Sequence, residues 1–384
     1  MSLITDQDAL DALCTRLAQA EFLTVDTEFM RDSTYWPYLC LIQVADEVGA
    51  VAIDPLADLD LAPFWQLMIE AAPMKVFHAC RQDLEIVYKA TGALPNHLFD
   101  TQVAAMVCGY GDSVGYETLV KELAGQKLDK SARFTDWSRR PLTERQLHYA
   151  LGDVTHLRVI YARLKAELAK SGREPWLDEE MAILLDPATY VQDPEQAWRR
   201  IKTRSSSPRF LGMVKALAAW REREAQARDI PKNRIAKDEV LLELAANPPQ
   251  SQEQLAEVRG LGKRFGGNEI GRSLMLAIEQ GQGMAEADLP RVPKERRSDK
   301  TPPVAELLKL FLKLRCQEAG VAPKMVASSA DLDALALADA PDIPALHGWR
   351  YALFGEDALK LKRGQLGLTA QGKVIEIVEI EEAD

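Results

Sequence analysis

The segment FLTVDTEF (22–29) decides the fold. It is short and rich in apolar and β-branched residues, and three runs of the same kind follow it: LCLIQVA (39–45), AVAID (50–54) and MKVFHA (74–79). Runs of this length and composition predict four strands. The first three are joined by too few residues for helical crossovers, which predicts an antiparallel meander. Upstream, Thr5 and Asp8 resemble a capping box with Asp in place of Glu, and Leu10, Leu13, Cys14 and Leu17 keep helical spacing. Helical spacing returns around 61–72, 83–91, 100–108, 115–124 and 143–169. Residues 1–172 therefore read as an α/β domain.

Beyond it the strand signal fades. Pro175, Pro187, Pro194 and Pro208 punctuate helical pieces along a connecting segment, 173–207. A helical module, 208–289, contains the apolar-periodic run FLGMVKALAAWRERE and the hairpin-like EVRGLGKRFGG. The Pro-rich, charged stretch PRVPKERRSDKTPP (290–303) has the composition of an exposed linker. A second helical piece follows, and KVIEIVEIEEAD ends the region 304–384 as an alternating strand with an acidic tail.

At 384 residues the chain is long enough for two to four domains of roughly 100 to 200 residues. Its 47% apolar and 27% charged composition excludes collagen-like, low-complexity and disordered classes. No apolar run approaches the length of a membrane span, and the N-terminus lacks a basic region followed by an apolar one, so a cytoplasmic protein is expected. Five cysteines without C-x-x-C spacing read as reduced thiols rather than a disulfide framework or zinc site. The net charge of −11 conceals segregation: residues 199–300 hold 21 basic and 14 acidic side chains, a local +7 that leaves −18 elsewhere. This asymmetry suggests a basic module facing a polyanion beside an acidic module with another task.

That task is suggested by four carboxylates and a tyrosine. Asp26 and Glu28 stand two apart on a predicted strand and share a face. Asp83 lies where HACRQDLE turns from strand to helix, and Tyr149 and Asp153 are one turn apart in QLHYALGDVTHL. Taken singly, D-x-E is the pattern of a solvated strand face, Asp83 that of a helix N-terminal charge and Tyr149 that of a half-buried core aromatic. Taken together, crowded carboxylates repel unless a cation neutralises them, and oxygen-only donors suit Mg²⁺ or Mn²⁺ rather than zinc or copper. Two such ions about 3.5 to 4 Å apart can drive in-line phosphoryl displacement, so phosphodiester hydrolysis is the natural reaction. His78, His148 and His156 lie nearby, but such a site needs no imidazole, and structural roles are expected for them. Arg31, Arg81, Arg139 and Arg140 are candidates for either phosphate contact or surface solvation. GYGDSVG (109–115) follows no strand and is not a dinucleotide fingerprint, and no P-loop occurs.

The set D-x-E, D and Y-x-x-x-D resembles the DEDD exonucleases, tyrosine subclass. VDTEFMRDSTYWPYLCLIQVA, VFHACRQDLEI, LFDTQVAAMVCGYGDSVGYETLV and DWSRRPLTERQLHYALGDVTHL look like the ribonuclease D family within it, and the resemblance covers nearly the whole chain. It implies a ribonuclease-H-like 3′-5′ exonuclease domain followed by two all-α HRDC-like domains. It also implies Asp26, Glu28, Asp83 and Asp153 as metal ligands, two Mg²⁺ or Mn²⁺ ions, and Tyr149 orienting the nucleophilic water. Implied too are nucleoside 5′-monophosphate products and trimming of tRNA precursors with single-stranded 3′ ends, with no membrane and no obligatory protein partner. RDIPKNRIAKDEVLLELAANPP and VRGLGKRFG resemble an HRDC domain, and 304–364 resembles a more divergent copy. In VRGLGKRF, Gly260, Gly262, Arg259, Lys263 and Arg264 suit either a grip on nucleic-acid backbone or a plain helix-to-helix turn. A DNA exonuclease and a catalytically silent RNA-binding protein are the rival readings.

Overall fold

The structure, a computed structural model, describes residues 3–70, 72–129, 132, 135–262, 265–291 and 302–380. Six strands form one mixed sheet: β1 (Leu3–Ile4), β2 (Phe22–Met30), β3 (Tyr38–Ala45), β4 (Ala50–Ile53), β5 (Met74–Phe77) and β6 (Leu98–Asp100), in the order β1-β4-β3-β2-β5-β6. β3 and β4 pair antiparallel, as their short connection requires, while β2 with β5 and β5 with β6 are parallel. β1 and β6 have two and three residues, too few to display an alternating pattern, and both escape the sequence reading.

The helices of this region are α1 (Gln7–Leu17), α2 (Ala62–Glu70), α3 (Arg81–Thr91), α4 (Thr101–Val107), α5 (Tyr116–Leu119) and α6 (Glu144–Ser171). The cap of α1 is Asp6 rather than Thr5: its carboxylate accepts the Ala9 N–H, a stronger acceptor than a hydroxyl. α6 begins on a capping box between Thr143 and Gln146 and ends at Gly172, whose φ of 67° is open to glycine at no steric cost. Its buried stripe of Ala150, Val154, Leu157, Ile160, Leu164 and Leu168 keeps the three-and-four spacing of a helix laid on an apolar core.

The chain divides into two compact units, Met1–Glu28 with Leu41–Thr189 and Ser298–Asp384, and Phe29–Cys40 with Tyr190–Arg297. In the first, the region after the linker folds as α13 (Val304–Ala319), α14 (Pro323–Val326), α15 (Ser329–Leu337), α16 (Gly348–Arg350) and α17 (Glu356–Lys362), and α7 (Glu174–Leu184) belongs to the same unit. This region is seated on the rest of its unit by specific contacts. Trp176 of α7 stacks on Trp349 with centroids 4.4 Å apart and planes 10° from parallel. Glu180 and Arg350, both largely buried, form an ion pair at 2.5 Å. The Arg173 guanidinium donates to the carbonyls of Ala319 and Gly320, which end α13. The region is not purely helical: β7 (Leu366–Gln371) and β8 (Val374–Glu379) form a hairpin, and β7, with Gly367 and no alternation, was not foreseen. The acidic tail 381–384 lies outside the described residues.

The second unit contains α8 (Pro208–Arg228), α9 (Lys232–Ile235), α10 (Asp238–Ala246), α11 (Gln252–Glu257) and α12 (Glu269–Gly283) around a core that includes Leu217, Leu241, Leu255, Phe265 and Leu274. The segment 29–40 belongs here. The Tyr35 hydroxyl donates to the buried Glu222 carboxylate, and the N–H groups of Tyr35 and Trp36 donate to Asp229 at 3.0 and 2.9 Å. Lys263 and Arg264, two of the three cations in the expected backbone grip, lie outside the described residues.

Candidate active site

β2 alternates, so Thr24, Asp26 and Glu28 share a face while Leu23 and Val25 are buried on the other. α6 crosses that face, and its backbone is held by Thr24 of β2 and by Tyr116 of α5. The fully buried Thr24 hydroxyl donates to the Val154 carbonyl at 2.8 Å, and the Tyr116 hydroxyl donates to the Asp153 carbonyl at 2.5 Å. Between these ties Asp153 projects toward β2, and one carboxylate oxygen from each of Asp26, Glu28 and Asp153 lies within 4.8 Å of the others.

Asp83 arrives from β5, the parallel neighbour of β2, through a tight turn into α3. Ala79 in that turn has a φ of 58°, a conformation costing of order 1 kcal/mol or more for a non-glycine residue. Buried Asp100 offsets it by accepting the N–H groups of Ala79 and Cys80 at 3.1 and 2.7 Å while capping α4 through Gln102 and Val103. Asp83 itself accepts a hydrogen bond from the Thr27 hydroxyl at 2.5 Å. It stands outside the tight group of three, yet its charge acts on both Asp26 and Glu28.

Tyr149, half-buried one turn before Asp153, has its ring centroid 6.1 Å from that of Trp137. With Asp26, Asp153, His78, Tyr116 and Glu117 it lines a cavity of about 330 Å³. Of the five expected residues, Asp26, Asp153 and Tyr149 line this cavity, Glu28 joins the first two in the acidic group, and Asp83 is held at Thr27 of the same strand, where its charge acts on Asp26 and Glu28.

The electrostatics are those of a site short of positive charge. Asp26 is held well above the ordinary carboxylate range, first by burial and then by Asp83, Asp153 and Glu28. Glu28 is raised to about 8 by burial, Asp153 and Asp83. Asp83 is raised to about 7, chiefly by burial, with the Thr27 hydroxyl pulling the other way. A divalent cation among these oxygens removes the repulsion, and the donor set is all oxygen, so the residues fit Mg²⁺ or Mn²⁺.

Three contributors were missed by sequence reading: Thr24, Asp100 and Tyr116. Each acts on backbone groups distant in sequence, and no spacing rule marks such contacts. Tyr116 directly follows the loop set aside as no fingerprint, and Gly115 and Thr118 also line the cavity. His78, expected to be structural, has Nδ1 3.0 Å from the Thr101 hydroxyl, and burial lowers its pKa, keeping the imidazole neutral at the cavity wall. Of the arginines, Arg140 is committed to Asp54 by two 2.6 Å bonds, and Arg139 pairs with Asp136 at the surface.

Comparison with known proteins agrees with this arrangement. The family model for a 3′-5′ exonuclease domain matches residues 1–169, and the HRDC domain model matches 210–278. The sheet, the acidic cluster and these matches define a 3′-5′ exonuclease carrying an HRDC domain. The chain is 50% identical over 380 residues to the ribonuclease D of Granulibacter bethesdensis, spanning 98% of this chain and 96% of that one. It is 47% identical over 388 residues to the ribonuclease D of Zymomonas mobilis, spanning 99% and 98%. The crystal structure of Escherichia coli RNase D, described as an exoribonuclease involved in structured RNA processing, superposes with a TM-score of 0.81 at 32% identity, covering 94% of this chain and 98% of that one. The chain belongs to the ribonuclease D family.

Proposed function

We propose that this chain removes nucleotides one at a time from the single-stranded 3′ end of RNA, tRNA precursors among its substrates, and releases nucleoside 5′-monophosphates. The observation that carries this reading is the clustering of the Asp26, Glu28 and Asp153 carboxylates, two of which, Asp26 and Asp153, line one cavity with Tyr149. Asp26, Glu28, Asp83 and Asp153 would be the residues that hold the divalent cations, Mg²⁺ or Mn²⁺, with Glu28 and Asp153 completing the shell of one and Asp83 serving the other. Bound there, the cations supply Lewis-acid polarisation of a water and stabilise charge on the departing oxygen. The Tyr149 hydroxyl orients the attacking water by hydrogen bonding; an unperturbed phenol, with a pKa near 10, is poorly matched to proton abstraction near neutrality. Thr24 and Tyr116 hold the α6 backbone so that Asp153 meets the two β2 carboxylates.

The chain works as an exonuclease domain (1–172), a connecting segment (173–207), an HRDC domain (208–289), a linker (290–303) and a divergent second HRDC-like region (304–384). The five free cysteines suit a reducing, cytoplasmic setting, and no described helix is long and apolar enough to cross a membrane. The test uses matched RNA and DNA oligomers labelled at the 5′ end, with Mg²⁺ or with EDTA. A ladder shortening from the 3′ end of RNA, faster than for DNA and absent in EDTA, is expected. Equal rates on both sugars would move the reading to a general 3′-5′ exonuclease.

A further inference from the structure

Three cationic side chains, from stretches far apart in sequence, converge on one hollow of about 460 Å³ in the second unit. Arg199 comes from the 3₁₀ stretch Pro194–Arg200, Lys215 from the second turn of α8, and Arg291 from the segment that follows α12. The hollow is built by packing. Ala197 and Ile201 are buried in the core of the unit, and Trp198 packs against it with part of its indole open. On α8, a Cβ at Gly212 would come within 2.7 Å of the Leu289 side chain, so glycine there lets residues 288–291 lie directly on the helix beside Lys215.

The described lining is rich in positive charge, three cations against one acid. Among the described residues none of the three cations forms an ion pair, and Asp288 is the only acid in the described lining. The Arg199 guanidinium instead lies 5.8 Å from the centroid of the Trp198 ring. Like charges gathered in one hollow repel, and a polyanion relieves the repulsion. A half-buried indole with its partly open edge and an exposed guanidinium beside spaced cations suit single-stranded nucleic acid, whose bases stack on flat π or guanidinium surfaces while phosphates take the cations. An acidic polypeptide offers charge without the flat rings.

We propose that this hollow holds the backbone of single-stranded RNA, with phosphates at Arg199, Lys215 and Arg291 and a base against Trp198. The site deepens the exoribonuclease reading and rests on it for the choice of RNA. Only Lys215 falls within the residues matched by the HRDC model, so the hollow owes its form to flanking segments.

The test measures fluorescence anisotropy of a labelled single-stranded RNA oligomer with the full chain in EDTA, across a series of KCl concentrations. Each phosphate contact to a single strand contributes about 0.7 to the salt slope, or about fivefold in affinity near 0.1 M salt. The combined variant Arg199→Gln, Lys215→Gln and Arg291→Gln is therefore expected to bind about a hundredfold more weakly, with a slope shallower by about two. Asp288→Asn, which removes the opposing charge, is expected to tighten binding severalfold. Affinity and slope equal to the parent in the triple variant would overturn the proposal. So would competition by poly-glutamate as effective as by RNA, which would assign the hollow to an acidic protein. A parent chain that binds RNA through this hollow yet releases no nucleotide in Mg²⁺ would keep the site and remove the exonuclease reading. Nucleotide release with binding unaffected by the triple variant would do the reverse.

Discussion

Cation binding at the carboxylate cluster must displace protons, and the number is set by the site itself. With Glu28 raised to about 8 and Asp83 to about 7, the metal-free cluster at pH 6 carries about two protons on these two groups; at pH 9 it carries about a tenth of one. Filling the site should therefore release about two protons at pH 6 and almost none at pH 9, with Asp26 adding to the first figure because it too is raised. Affinity then climbs by up to about a thousandfold, about 4 kcal/mol, between pH 6 and 9. Titration calorimetry with Mn²⁺ in buffers of different ionisation heat counts the protons directly. The same shifts act on stability with a definite sign. Both acids have folded pKa values above their unfolded ones, so the metal-free protein binds more protons folded than unfolded, and stability present at pH 4 is lost as pH rises through 7 to 8. Mg²⁺ should restore the melting temperature at pH 8.5 and change it little at pH 5. Release of less than half a proton at pH 6 would refute the reasoning, because the carboxylates would then already be ionised and mutually tolerant.

Tyr149→Phe is expected to lower kcat by about a hundredfold while leaving Mn²⁺ affinity within about twofold, read by single-turnover kinetics and calorimetry; unchanged turnover would remove its role. Thr24→Val keeps the shape but loses the bond to the Val154 carbonyl, so Mn²⁺ binding should weaken about tenfold for a stability loss of about 1 kcal/mol, while Thr24→Ser stays near the parent. Asp100→Ala leaves four N–H groups without their acceptor and should cost about 3 kcal/mol in urea unfolding; Asp100→Asn, whose remaining oxygen still accepts three of them, should cost less.

How far the sequence reached depends on the range of the interaction. Asp26 and Glu28 were legible because strand alternation puts both on one face, and Tyr149 and Asp153 because one helical turn does the same. Asp83 needed the inference that its strand lies beside the first, which the β2–β5 pairing bears out. Strands of two or three residues carry no period, so β1 and β6 were invisible, although β6 ends at Asp100 and so anchors the turn that launches Asp83. Thr24 and Tyr116 act on carbonyls of α6 more than thirty residues away, and a hydroxyl in a strand or a short helix gives no hint of such a partner. The grouping of 29–40 with the helical module was equally hidden: Tyr35 and Trp36 find their partners Glu222 and Asp229 far along the chain, and no local pattern marks that.

Whether Asp26, Glu28, Asp83 and Asp153 together hold the cations needed for RNA cleavage is decided by one comparison. Release of nucleoside 5′-monophosphates from a single-stranded RNA 3′ end is followed in Mg²⁺ for the parent chain and for Asp26→Ala, with RNA binding by both measured in EDTA. Stepwise loss of 3′ nucleotides by the parent is expected, and no release by Asp26→Ala despite undiminished RNA binding. Continued monophosphate release by Asp26→Ala at the parent's rate would contradict it.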